Sequence, residues 1–323
     1  MMKQEFNITP GTVISGKWHG ETYRVITLLG KGANGTVYLA EGRRGLSALK
    51  ISSNSMSITS EVNVLKHFSK VRGSSLGPSL FDTDDWVPRQ GVKAIPFYAM
   101  EYIRGELFLD FLQKKGQEWT IVLAIQLLFS LETLHKAGWI FGDLKPENLI
   151  VTDKPTKIRC IDVGGTTQAG RAVKEFTEFF DRGYWGLGDR KAEPSYDLFA
   201  VAMVVINAAY PRRFTKKEGT GGKEQLYEAI RQNSFLKQYK VVLSKAIMGK
   251  YISAEEMRLD FIAASQLHQS NTEPASEKMS KHPGRQKTRK RKRRSVLLGL
   301  VETAIIVIGI FILYSLYVYH YLL

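Results

Sequence analysis

Cysteine is all but missing from this chain of 323 residues, in which Cys160 is the only one. A single thiol excludes an intrachain disulfide framework and a zinc–cysteine cluster, and it suits a reducing, cytosolic setting for the folded part. The opening, Met1 to Gly16, lacks a basic start followed by an apolar run, so no secretory signal is expected there. No internal repeat is visible. What the chain does have is 44% hydrophobic and 24% charged residues, enough to bury a proper core in one or two domains.

Acidic residues are missing from one short region. The net charge is +15, and Arg285, Lys287, Arg289, Lys290, Arg291, Lys292, Arg293 and Arg294 supply eight positive charges within ten residues and no negative one. More than half of the excess is therefore local, which points to a segment that faces a polyanion and not to a uniformly basic protein. Directly afterwards, the 24 residues from Val296 to Tyr319 contain one acidic or basic residue, Glu302. About 20 apolar residues suffice to cross the hydrocarbon of a bilayer as a helix, so residues 296–319 are expected to span. Tyr314, Tyr317, Tyr319 and Tyr321 gather at its far end, as phenol rings do at a membrane–water interface. Basic flanks stay in the cytoplasm. The expected topology is thus a single-pass cell-membrane protein with everything before residue 295 cytoplasmic and no domain beyond the span.

Residues 268–295 carry almost nothing apolar and read as a flexible juxtamembrane linker. Before them lies the globular part. Tyr23 to Leu28, Thr36 to Ala40 and Leu46 to Ile51 are rich in aromatic and β-branched residues with glycines between, which predicts strands. Ile121 to Lys136 and Tyr196 to Ala209 carry apolar residues at helical spacing.

Three signals carry chemistry. The first is Leu29-Gly30-Lys31-Gly32-Ala33-Asn34-Gly35-Thr36-Val37. A dinucleotide site would need a helix directly after such glycines, whereas Thr36 to Ala40 is strand-forming. That leaves a glycine-rich hairpin lying over nucleotide phosphates, or an ordinary hairpin turn. The second is Ala48-Leu49-Lys50, with Glu61 the one carboxylate between Lys50 and Asp82. Glu61 opens a stretch able to form a helix with Val62, Leu65 and Phe68 inward. The third is Phe141-Gly142-Asp143-Leu144-Lys145-Pro146-Glu147-Asn148-Leu149-Ile150-Val151, followed by Ile161-Asp162-Val163-Gly164.

In that order and spacing the chain resembles the eukaryotic-like (Hanks-type) serine/threonine protein kinases, the bacterial membrane-anchored kind above all, over roughly residues 22 to 267. The resemblance implies an α+β, two-lobed fold: a β-rich N-lobe over 10–103 and a helical C-lobe over 104–267, here with one C-terminal transmembrane helix. It implies ATP and Mg²⁺ as cofactors and cytoplasmic proteins as substrates, with autophosphorylation. Asp143 would orient the substrate hydroxyl and take its proton, and Lys145 would steady the transferring phosphoryl group. Asn148 and Asp162 would hold Mg²⁺ through oxygen. Lys50 paired to Glu61 would position the nucleotide. Leu29, Gly30, Gly32, Gly35, Val37 and Ala48 would enclose it, with Met100 as gatekeeper and Glu101 and Ile103 in the adenine-binding hinge.

The chain departs from the family in four places. Phe141-Gly142 replaces the usual His-Arg, removing the arginine that binds an activation-loop phosphate. Activity is therefore expected not to depend on that clamp, even if Thr166, Thr167 or Thr177 is autophosphorylated. Val163 replaces a phenylalanine in the metal-binding motif. Asp181 is read as standing where a substrate-pocket threonine is usual, and Gly186-Leu187-Gly188 replaces alanine-proline-glutamate. Asp197 matches the aspartate that holds the catalytic loop through its backbone N–H groups.

Two further functions compete: a pseudokinase scaffold, encouraged by these departures, and a membrane-tethered nucleic-acid-binding protein. Residues 285–294 suit anionic lipid, and their charge density also matches non-specific DNA; no aromatic is interleaved, so base reading is not expected. Glu302, beside Gly299 and Thr303, offers a route to self-association in the bilayer.

Overall fold

The computed structural model describes residues 7–272, apart from 33, 71–75 and 90–92. The chain divides into two units, 1–272 and 273–323. The second, with the basic stretch 285–294 and the expected span 296–319, lies outside the described residues. Among the described residues no helix is long and apolar enough to cross a membrane.

A sheet of six strands opens the first unit, built from β1 (Val13–Ser15), β2 (Thr22–Gly32), β3 (Gly35–Gly42), β4 (Gly45–Ile51), β5 (Leu80–Trp86) and β6 (Ile95–Glu101). Their order is β1-β2-β3-β4-β6-β5 with every neighbouring pair antiparallel. Side chains along a strand alternate between faces, and this sheet uses both. Leu49, Ile51, Phe97 and Ala99 join Ile14, Tyr23, Val25 and Tyr38 in a core on one side. Ala48, Tyr98 and Met100 join the main core on the other, where helix α1 (Ser55–Lys70) lays Ile58, Val62, Leu65 and Phe68 inward. Lys50 lies between Leu49 and Ile51, so the pleat turns it to the α1 side.

The second lobe starts with β7 (Glu106–Leu107), α2 (Phe108–Lys115) and α3 (Trp119–Lys136). Then come β8 (Trp139–Ile140), β9 (Leu149–Thr152), β10 (Lys157–Cys160) and β11 (Thr167–Gln168), which form small sheets in the orders β10-β9-β7 and β11-β8. Helix α4 (Pro194–Ala209) is buried at every residue from Tyr196 to Asn207. A helix apolar all round belongs at the centre of a lobe, and α4 packs against α3 and against α6 (Ser234–Gln238), α7 (Lys240–Ile247) and α8 (Ala254–Thr272), while α5 (Gly222–Gln232) lies against α6 and α7. Leu128, Leu131 and Leu243 in this core are fully buried, each contributing about 1.5–3 kcal/mol. Helix α8 runs to Thr272, past the boundary expected at 267.

The two segments expected as helices, 121–136 and 196–209, are found within α3 and α4, each starting two residues earlier. Proline at the first position of α4 explains its earlier start, since its fixed φ suits that site.

Candidate active site

Register brings the first group of residues together. Lys50 lies opposite Tyr98 on β6 and Val37 on β3, and Ala48 lies opposite Met100. Lys50 Nζ donates to Glu61 Oε2 at 2.6 Å, and the Tyr98 hydroxyl donates to the same oxygen at 2.6 Å. Ser57, one turn earlier on α1, donates to Glu61 Oε1 at 3.1 Å. Both ions are nearly dry, Lys50 at 5% and Glu61 at 2% exposure. Breaking such a pair from one side typically costs about 3–5 kcal/mol, because the other charge is left buried. Burial, then the Glu61 charge, pushes the Tyr98 phenol well above its ordinary range, so it stays a donor. Tyr98 was not among the residues the sequence pointed to; its hydroxyl is visible only through the β4–β6 register.

The glycine segment forms the β2–β3 hairpin, with Gly30 opposite Val37 and Gly32 opposite Gly35. Gly35 has φ of +142°, and a Cβ there would meet the Ile51 carbonyl oxygen at 2.6 Å. A Cβ on Gly30 would touch nothing within 4 Å, and one on Gly32 only the Gly35 carbonyl at 4.0 Å. Among the described residues no neighbour requires those two positions bare, which suits a hairpin that a ligand's phosphates approach closely. Ala48, Met100 and Ile103 are buried, Val37 is half-buried and Leu29 exposed. Glu101 turns out to be a brace: both its oxygens take Arg159 at 2.8 and 2.9 Å, and Oε2 also accepts from the Ser79 N–H. The Arg159 hydrogen bonds lower its pKa.

The catalytic loop runs from Phe141 between β8 and β9 and ends in a short 3-10 turn, Pro146–Asn148. Asp143, 8% exposed, accepts from Lys145 Nζ at 2.5 Å and from Asn148 Nδ2 at 3.3 Å. Asn148 Nδ2 also reaches the Asp143 carbonyl at 3.1 Å, which leaves the amide oxygen available to a cation. Asp162 is half exposed, 3.9 Å from Lys50 Nζ, and accepts the Gly164 N–H at 2.9 Å. Carboxylate and amide oxygens are hard donors of the kind Mg²⁺ takes. The Ile161 N–H, bonded to the Asn148 carbonyl at 2.9 Å, sets the group of Lys50, Glu61 and Asp162 beside that of Asp143 and Asn148.

The resemblance to known kinases can now be tested. The family described as "Protein kinase domain" matches residues 23–282. This chain belongs to the protein kinase family. The serine/threonine-protein kinase YabT of Bacillus subtilis is 51% identical, over 98% of this chain and 97% of that protein. The chain is thus an ATP-dependent protein serine/threonine kinase similar to YabT. Vaccinia related kinase 3 superposes with a TM-score of 0.61 at 14% identity, covering 82% of this chain and 93% of that one. The PknI kinase domain of Mycobacterium tuberculosis gives 0.55 at 17% identity, covering 80% and 99%. At such identities these two show the shared two-lobed fold.

Within this kinase, three readings of the activation segment change. Asp181 does not stand at the substrate pocket. It is fully buried and accepts from Gly183 N, Tyr184 N, the Tyr196 hydroxyl and both Arg190 Nε and Nη2. The threonine that meets the catalytic loop is Thr177, whose hydroxyl lies 3.3 Å from Asp143 Oδ1 and 3.2 Å from Lys145 Nζ. Thr166 and Thr167 are buried at 0% and 2% exposure, closed to a second kinase molecule in this conformation.

The place of alanine-proline-glutamate as an anchor is taken by Arg182, which is nearly buried. It bonds Ser195 at 2.7 Å, Asp189 at 2.8 Å and Glu193 at 2.9 Å. Asp197 does hold the catalytic loop: it accepts Phe141 N at 2.8 Å and Gly142 N at 2.9 Å, and meets His135 Nε2 at 2.9 Å. Phe141 and Val163 are buried in one core, a larger ring where histidine is usual and a smaller side chain where phenylalanine is. Swaps that conserve total volume are the ones cores tolerate best.

One carboxylate at the site was not foreseen. Glu175 accepts from Asn34 Nδ2 at the turn of the glycine hairpin. Burial raises its pKa, as do the Asp162 and Asp143 charges, while Asn34 and Lys50 oppose them. A raised carboxyl pKa stabilises the fold at low pH and loses that contribution as pH rises through the folded value. Glu175→Gln is therefore expected to melt higher than wild type at pH 7 without divalent cations. The gap should shrink towards pH 5, as read by paired thermal melts.

Proposed function

We propose that this kinase, anchored in the membrane, transfers the γ-phosphate of ATP to serine and threonine hydroxyls of cytoplasmic proteins and of itself. The observation that carries the transfer reaction is that Asp143 and Asn148 stand beside Asp162 and the Lys50–Glu61 pair. Lys50, fixed by Glu61, holds the α and β phosphates, and the hairpin backbone covers them. Asn148 and Asp162 are the residues that would hold Mg²⁺, which when bound offsets phosphate charge. Asp143 orients the attacking hydroxyl and takes its proton as the new P–O bond forms and the bond to ADP breaks. Lys145, ion-paired to Asp143 and bonded to Thr177, steadies the charge on the transferring group. The retention of this full set, with Lys50 paired to Glu61 and Asn148 bonded to Asp143, weighs against a scaffold without activity.

The anchor rests on composition: an apolar stretch at 296–319 preceded by eight basic residues. The same basic residues bind anionic lipid, each worth about 1 kcal/mol near such a surface, and would also take DNA non-specifically.

Full-length protein in detergent, given γ-labelled ATP, Mg²⁺ and a protein substrate, is expected to label serine and threonine. Label confined to tyrosine, or none, would overturn the reading. Adding anionic vesicles or duplex DNA tests the basic segment. Any DNA affinity should fall with salt at a log–log slope of about −0.9 per phosphate neutralised.

A further inference from the structure

Gly142 leaves this kinase without the arginine that a phosphorylated activation loop would grip, yet the activation segment is tied to the N-lobe by two consecutive residues. Lys174 Nζ donates to Ser60 Oγ on α1 at 3.0 Å and to the Thr166 carbonyl at 3.1 Å. Glu175 accepts from Asn34 at the glycine turn. The two bonds reach the two N-lobe parts that must be set for transfer. Ser60 directly precedes Glu61, the partner of Lys50, and Asn34 lies on the hairpin over the phosphates. Two residues on, Thr177 touches Asp143 and Lys145.

We propose that Lys174 and Glu175 form a built-in clasp that sets α1 and the glycine hairpin against the catalytic loop without phosphorylation of the activation segment. The clasp deepens the kinase reading above and rests on it. Lys174 supplies the link from activation segment to α1. Each bond by itself is modest, as expected of hydrogen bonds with charged partners near solvent. The clasp therefore acts on positioning and not on whether the fold forms. Lys174 and Glu175 are positioning residues.

The test uses full-length protein treated with phosphatase, which is then removed. Wild type should phosphorylate substrate from the first turnover with no lag, at a rate within twofold of untreated protein. Lys174→Met and Glu175→Ala should each raise the KM for ATP about three- to tenfold and lower kcat. Ser60→Ala should mimic Lys174→Met, with no further loss in the double variant, and Lys174→Arg should restore most of the activity. A purely structural role would reduce the active fraction, and hence kcat, at unchanged KM. Variants with wild-type KM, or a lag in wild type that pre-incubation with ATP removes, would overturn the clasp. Wild type with no activity in any arm would sink the kinase reading instead.

Discussion

Asp143→Ala will lower the single-turnover rate of phosphoryl transfer about 10³-fold while nucleotide affinity changes little. A positioned general base contributes about 10²–10⁴ in rate, and Asp143 is the carboxylate held by Lys145, Asn148 and the Thr177 hydroxyl together. Truncation removes the proton acceptor and also frees Lys145 from its ion pair. The Lys50–Glu61 pair, which is expected to position the nucleotide, is not touched by the change. Rapid-quench transfer and equilibrium ADP binding, run on the same preparation, separate the two effects. Loss of ADP binding alongside transfer would mean that Asp143 supports the cleft and not the proton. Asp143→Asn, which keeps the shape, guards against a folding artefact and should be nearly as slow.

Gly142→Arg, which rewrites the loop towards the usual family pattern, will unfold or inactivate the enzyme and will not create a phosphate clamp. Gly142 has φ of +83°, and a Cβ there would lie 2.8 Å from the Gly165 carbonyl oxygen. The left-handed backbone costs about 1–2 kcal/mol for any residue with a Cβ, and the clash with fixed backbone adds to it. Since Gly142 N also donates to Asp197, the loop cannot swing away without breaking that bond. A total of about 3–5 kcal/mol corresponds to a drop in Tm of roughly 10 °C. Gly142→Ala brings the same Cβ against the Gly165 carbonyl, so it should show the backbone cost and the clash together and lose nearly as much stability as the arginine variant. Differential scanning calorimetry reads both; an arginine variant as stable as wild type and newly dependent on phosphorylation would show this account to be wrong.

The close approach of Gly142 to Gly165 shows why the departure at Phe141-Gly142 was legible as a loss but not as a structure. A sequence shows that the arginine is gone. Only the packed loop shows that no side chain can return, because the Gly165 carbonyl occupies the space. Thr177 and Asp181 teach the same lesson in reverse. By sequence Asp181 stands where a substrate-pocket threonine is usual, whereas the fold buries Asp181 under Tyr196 and Arg190 and sends Thr177 to the catalytic base.

The sequence by itself determined the family and the two-lobed fold, and it pointed to the five residues proposed to carry transfer. Lys50 sits on a strand, Glu61 on a helix and Asn148 in a 3-10 turn, while Asp143 and Asp162 follow β8 and β10 within three residues, so their spacing is a local property and their order along the chain carries their meaning. Tertiary structure alone decided what Tyr98, Thr177, Asp181, Arg182, Lys174 and Glu175 do. Most of these lie in the activation segment, which has little regular structure. Its side chains bond to partners far away in sequence, and no pattern of neighbouring residues records such distances.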